Sequence, residues 1–221
     1  MTTEGAHFAQ LFVENVRRRS RTANGELDTT ASPLKDVRAT TGQPLAVHIE
    51  SNALAAASLV WDLRERTLSH AEIRELSQAL HRTLTAGTEV IGGNNGYRTW
   101  PLAYSWWPPD EIEPALQWFY RRLAHFAEWA TAEASRQAQL LAFADYMLDA
   151  EIHPWADGCG RVATGLVMWL SVLTPAFAIP TFGRREEHYR SFRSHSLCEH
   201  VDYMVTCLSR DGSSEVRTRL R

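Results

Sequence analysis

His153-Pro154-Trp155-Ala156-Asp157-Gly158-Cys159-Gly160-Arg161 sets a base, a carboxylate, two glycines and a guanidinium into one short run. The residues on either side decide what that run sits between. Upstream, Leu141, Ala144, Leu148 and Ile152 recur at helical spacing, and downstream Val162, Leu166, Trp169 and Leu173 do the same. The run therefore reads as the corner of a helix–loop–helix, with Arg161 in the first turn of the second helix. A helix start carries N–H groups without intrahelical acceptors and the positive end of the helix dipole. Glycines beside it allow a ligand close to the backbone. An anion, most simply a phosphate, suits such a place.

Each polar residue of the run has a chemical reading. His153 is poised near neutral pH to take a proton from an attacking hydroxyl. Asp157 offers a carboxylate to a Mg²⁺ ion bridging phosphate oxygens, and Arg161 offers a planar fork for phosphate. Together they describe phosphoryl or nucleotidyl transfer, in which catalysis is mostly positioning and charge stabilisation. Plainer readings stand beside these: a lone His is more often a surface or core residue, and Asp-Gly is above all a turn signal. Gly158 to Ala163 also fits a G-x-G-x-x-A dinucleotide fingerprint. That fingerprint needs a preceding strand, and here the preceding segment reads as helix. A calcium loop fails because Met168 stands where its closing acid belongs.

The run resembles the signature of the Fic (Fido) family, His-Pro-Phe-x-Asp/Glu-Gly-Asn-Gly-Arg-x-x-Arg. His153, Pro154, Asp157, Gly158, Gly160 and Arg161 match, with Trp155 as an aromatic replacement for Phe. Cys159 stands where the family usually has Asn, and Thr164 where its second Arg would be. The resemblance covers roughly residues 75–210 and implies an all-α, mainly helical Fic fold with a short β-hairpin flap. It also implies transfer of AMP, UMP, phosphate or phosphocholine from a nucleotide-linked donor such as ATP to a hydroxyl. Under it, His153 is the base, Asp157 holds Mg²⁺, and the backbone of Gly158, Cys159 and Gly160 with Arg161 binds the donor phosphate. The departures bear on the donor. A cysteine S–H is only a weak hydrogen-bond donor, and a charge-assisted bond missing at Thr164 is worth ~1.5–3 kcal/mol. Weak grip on a triphosphate follows, unless another arginine such as Arg184 or Arg185 substitutes.

Composition bounds the remaining choices. With 221 residues, 44% of them hydrophobic, and eight Trp, the chain has material for a packed core. A net charge of −3 with interleaved signs argues against nucleic acid as the main partner. Three cysteines, Cys159, Cys198 and Cys207, fit a reducing compartment rather than a disulfide scaffold. Cys198-x-His200 with His195 nearby lacks standard zinc spacing. Neither a secretion signal nor a membrane-spanning run is evident, so the expectation is a cytoplasmic protein.

Along the chain, residues 5–19 predict a helix on Phe8, Leu11, Phe12 and Val16, closed by the Arg17-Arg18-Arg19 run as a solvated end. Residues 20–44 read as loop or extended arm. Helices follow over 45–66 and 69–85, the second opened by a Ser69/Glu72 capping box. Residues 1–74 are thus expected to be an arm and helices packed on a Fic-like domain at 75–210, with a polar tail at 211–221.

Residues 88–107 carry Gly92-Gly93-Asn94-Asn95-Gly96 between Thr88–Ile91 and Tyr97–Trp100, the pattern of a short hairpin. In the Fic reading this is the flap where a hydroxyl-bearing protein or small-molecule acceptor docks, and Gly96-Tyr97-Arg98 is similar to a segment found there. Trp100, Trp106 and Trp107 are candidates for an aromatic wall around a small acceptor, although core packing is the plainer role. A helix over 110–131 and a final one over 184–209 complete the reading. The Thr22–Leu27 stretch only partly matches the family's inhibitory helix motif. The non-enzyme alternative is a degenerate Fic scaffold used as a binding module.

Overall fold

Two helices with almost no polar face organise the chain. In α5 (Gln137–Tyr146) every residue but Gln139 is buried, and in α6 (Cys159–Leu170) every residue but Gly160. Helices apolar all round belong in the interior, because no face is left to give to water. The computed structural model, which describes residues 2–20, 37–40, 44–90, 96–102, 105–193 and 195–210, places them side by side at the centre of a mainly helical protein.

Amphipathic helices surround that pair. Helices α1 (Thr3–Ser20), α2 (Leu45–Trp61) and α3 (His70–Leu84) pack against α6, while α4 (Ile112–Thr131) and α8 (Leu197–Ser209) pack against α5. Helix α7 (Arg185–Arg193) joins α1 and α8. The stripe Ile73, Leu76, Leu80 and Leu84 of α3 is buried as its spacing predicts. Its start is the expected capping box: Ser69 accepts from the Glu72 main chain, and the Glu72 carboxylate accepts from the Ser69 main chain. Helix α3 comes very close to α6 at Gly165, where an added Cβ would lie 2.8 Å from Leu80 Cδ1.

Two expected elements take another form. The segment over 184–209 is two helices, broken at His195 (φ 49°) and restarted by Ser196, whose hydroxyl accepts from the Glu199 main chain. That cap offers the backbone an alternative to a continuous helix. In the 88–107 region, β2 (Thr88–Val90) pairs antiparallel with β1 (Val37–Ala39) rather than with Tyr97–Trp100. Tyr97 instead makes an antiparallel bridge to Trp155. The backbone groups a hairpin needs are taken by the motif loop: Ala156 N–H donates to the Gly96 carbonyl (3.1 Å) and Arg98 N–H to the Pro154 carbonyl (2.9 Å). The turn itself, 91–95, lies outside the described residues, as do Thr22–Leu27 and the tail from 211. Among the described residues no helix is long and apolar enough to cross a membrane.

Candidate functional site

The helix that begins as α5 does not end as an α-helix. Met147–Ile152 widens into a π-turn and stops at His153, whose backbone is left-handed (φ 43°, ψ 63°). A non-glycine residue there is strained, and the surroundings must hold it. Arg98 supplies one hold. Its guanidinium, 1% exposed, donates to the carbonyls of His153 (2.8 Å), Ile152 (3.2 Å), Trp100 (2.8 Å) and Trp107, and to Ser105 Oγ (3.0 Å). One arginine thereby pins the segment 98–107 to the main chain of the candidate base.

The His153 ring is 9% exposed as a residue, and its Nδ1–H donates to the Asp149 main-chain carbonyl at 2.7 Å. A carbonyl only accepts, so the neutral ring carries its proton on Nδ1 and its lone pair on Nε2. That is the tautomer a general base needs.

The next residues close on each other. Asp157 and Arg161, one helical turn apart, form a buried ion pair, and Arg161 Nη1 also donates to the Leu84 carbonyl at 2.7 Å. The Asp157 carbonyl is within hydrogen-bond distance of His81 Nε2 (3.0 Å), and His81 stacks on Trp155 with ring centroids 4.7 Å apart. Burial keeps His81 below the ordinary histidine pKa. Gly158 caps α6 at φ 90°, where a Cβ would also meet Thr85 Cγ2 at 3.0 Å. Cys159 is buried, with Sγ bonded to the main chain of Trp155 (3.3 Å); burial, then the charge of Asp149, pushes its thiol pKa well up. It is a packed core atom rather than a nucleophile.

The predicted site residues are thus brought together, but their polar groups largely serve one another. The Asp157 carboxylate, expected to hold Mg²⁺, carries the Arg161 guanidinium on Oδ2 in this arrangement. Among the described residues no group of three or more His, Cys, Asp or Glu is placed to hold a metal ion. Arg161 is likewise turned to Asp157 and Leu84 rather than outward for a phosphate.

The residues not foreseen lie on α1 and α5. Arg19 was expected in a solvated helix end. Arg17 and Arg18 are partly exposed and pair with Glu50 and Glu14, but Arg19 is buried. Its Nη1 donates to Asp145 Oδ1 (2.6 Å) and Thr164 Oγ1 (3.2 Å), and its Nη2 to Asp149 Oδ2 (2.8 Å). Arg19, not Arg184 or Arg185, is therefore the arginine at Thr164; Arg184 is exposed and Arg185 stacks on Tyr189.

The far side of Asp145 faces His200 Nε2 (2.9 Å) and His188 Nε2 (3.4 Å). Burial alone would raise the Asp145 pKa, but Arg19 and the two histidines outweigh it and hold the carboxyl well below its usual range. Burial, then the Arg19 charge, drives His188 well below the ordinary histidine value. The signal was in the sequence: Arg19 continues the Phe8, Phe12, Val16 stripe, and Asp145, Asp149 and His153 recur every four residues along and just past a largely apolar helical segment.

The aromatic residues of the expected acceptor wall divide. Trp106 is the most exposed large apolar side chain of those described (76%) and Trp100 is also exposed, whereas Trp107 packs partly on the core. Beside Trp155, a cavity of about 390 Å³ is lined by residues that include Arg74, His81, Gly96, Tyr97 and Glu113. No protein-family model matches the chain. A search of curated proteins returned no match either.

Proposed function

We propose that the chain is a Fic-like transferase that moves a nucleotidyl or other phosphate-containing group from a nucleotide-linked donor to a hydroxyl, with His153 as the general base. The observation that carries this reading is the His153 ring itself. It closes the π-turn that follows α5, with Nδ1–H on the Asp149 carbonyl, the tautomer that puts the ring's lone pair on Nε2. The incoming hydroxyl gives its proton to Nε2 as its oxygen attacks the donor phosphorus. The leaving phosphate or pyrophosphate departs with the electron pair of the broken bond. The start of α6, with its dipole and unsatisfied N–H groups, offers stabilisation to charge developing there. No step is assigned to Asp157 or to a metal, since Asp157 neutralises Arg161.

That same pair favours a second reading, a Fic-like scaffold that binds a partner and transfers nothing. A site whose carboxylate and guanidinium satisfy each other has less to give a phosphate donor. Intact-mass analysis of the chain with ATP, UTP and CDP-choline and a hydroxyl-bearing acceptor separates the two. The transferase reading expects added mass on the acceptor or on the chain, lost in His153→Ala, and the mass names the transferred group. No added mass with any donor supports the scaffold.

A further inference from the structure

The cavity beside Trp155 is walled by polar groups that the fold leaves unused. His81, only 7% exposed, forms part of that wall. Its Nε2 meets the Asp157 carbonyl at 3.0 Å, and a carbonyl only accepts, so Nε2 carries the proton and Nδ1 the lone pair. Burial holds the ring below the ordinary histidine pKa, and it is neutral near neutral pH. Among the described residues no group donates to Nδ1.

The surroundings of the ring say which way that nitrogen faces. The Cδ2–Nε2 edge is turned to the motif loop: a Cβ at Gly158 would lie 3.4 Å from Cδ2 and 3.7 Å from Nε2. One face of the ring is covered by Trp155, nearly parallel at 11° with centroids 4.7 Å apart. Nδ1 lies on the edge away from the motif loop, on a residue that lines the cavity. A buried acceptor left without a donor is destabilising, so the donor belongs to whatever fills the space.

The charges in the wall complete the pattern. Arg74, Gln78 and Arg82 recur at four-residue spacing along α3 and line the same cavity. Arg74 Nη2 pairs with Glu113 Oε1 at 2.7 Å, and the Tyr97 hydroxyl donates to Glu113 Oε2 at 3.1 Å. The Glu113 carboxylate is thereby committed. Arg82 is exposed and forms no ion pair among the described residues. The cavity therefore presents an unpaired guanidinium and an unpaired ring nitrogen from neighbouring residues, beside the Tyr97 ring as an apolar wall.

We infer that this cavity binds a small hydroxy acid, whose carboxylate lies on the Arg82 guanidinium and whose hydroxyl donates to His81 Nδ1. A planar fork suits a carboxylate. A carboxylate without a hydroxyl leaves Nδ1 with no donor. An ammonium supplies a donor but shares the wall with Arg74 and Arg82, where like charge is disfavoured, and Glu113 already serves Arg74 and Tyr97. The volume, about 390 Å³, is within the range of small-molecule sites. The occupant lies against Trp155 and against the ring that holds the Asp157 carbonyl, and so borders the motif loop without using its phosphate-directed groups. The inference does not depend on the transferase reading.

The test is calorimetry of the intact chain, without nucleotide, against phenyllactate, hydrocinnamate and phenylalanine. These probes differ only in carrying a hydroxyl, a hydrogen or an ammonium beside the carboxylate, and their phenyl ring has Tyr97 to pack on. Phenyllactate should bind about tenfold more tightly than hydrocinnamate, as one hydrogen bond to the ring nitrogen implies, and more tightly than phenylalanine. Arg82→Gln should weaken phenyllactate about tenfold to a hundredfold, the loss of a charge-assisted bond. His81→Phe keeps a ring on Trp155 and should bind phenyllactate and hydrocinnamate alike. If that variant does not fold, the probe series on the original chain and Arg82→Gln decide the matter. Arg122→Gln, on the exposed side of α4 outside the cavity, should leave every affinity unchanged. Equal affinity for phenyllactate and hydrocinnamate, or no binding of either at millimolar concentration, would overturn the inference. So would tighter binding of phenylalanine or of inorganic phosphate, or an affinity for phenyllactate unmoved by Arg82→Gln or lowered equally by Arg122→Gln. Transfer is read separately by mass, so either result can fail without the other.

Discussion

Removing the Asp157 carboxylate should destabilise the fold, because that carboxylate is the counter-charge of a buried guanidinium. In Asp157→Ala, Arg161 keeps the Leu84 carbonyl but loses its ion pair, with its side chain only 6% exposed. Breaking a buried pair by deleting one partner costs about 3–5 kcal/mol, mostly from the charge left behind. For a chain of this size that corresponds to a fall in melting temperature of about 6–20 °C. Asp157→Asn should lose less, since an amide oxygen still accepts from Arg161. Asp157→Ala with Arg161→Leu should recover most of the loss, because the orphaned charge is gone. The assay is urea unfolding of the original chain, Asp157→Ala, Arg161→Leu and the double variant, read as a double-mutant cycle with and without excess chelator. A loss under about 1 kcal/mol in Asp157→Ala, or additive single losses in the double variant, would refute the reasoning. So would stability of the original chain that drops on chelation, which would make Asp157 a metal ligand after all.

Acid should weaken the protein from the histidine range downward. His188 and His81 are held neutral by burial, so the unfolded chain takes up protons at these positions below about pH 6.5 while the folded chain does not. Their stabilisation is present above that pH and is lost as pH falls from there toward the depressed folded values. An unfolding midpoint equal at pH 5 and pH 8 would contradict this. Gly165→Ala should cost about 1–3 kcal/mol by overpacking against Leu80 Cδ1, and Leu80→Ala in the same chain should relieve part of it; a neutral single substitution would show that α3 yields freely. Among the thiols, exposed Cys198 should react fast with a thiol reagent, while Cys159 and Cys207, buried and with raised pKa values, react only on unfolding. Rapid modification of two or three thiols in the folded chain would count against the packing of α6.

The helices were legible because the burial that defines them has a period. Phe8, Phe12 and Val16 on α1, and Ile73, Leu76, Leu80 and Leu84 on α3, are buried as their spacing says. What spacing could not supply was the partner of each polar group. Arg161 reads equally well as a phosphate ligand or as the partner of Asp157, since both need the same fork. Nothing in a linear pattern says that Leu84, far away in sequence, will offer its carbonyl. Arg19 was hidden differently: an arginine ending a basic run looks solvated, and only its register with Val16 reveals that it faces inward. The strand partner of Thr88–Val90 was out of reach for a third reason. A short strand has little side-chain preference of its own, and which edge it joins is set by tertiary competition for backbone groups.

The most direct test of His153 as the base is the single-turnover transfer rate of the chain and of His153→Ala, measured with whichever donor adds mass. The account predicts a fall of about 10²–10⁴ in rate with folding and donor binding retained. Transfer by His153→Ala at the rate of the original chain would contradict it.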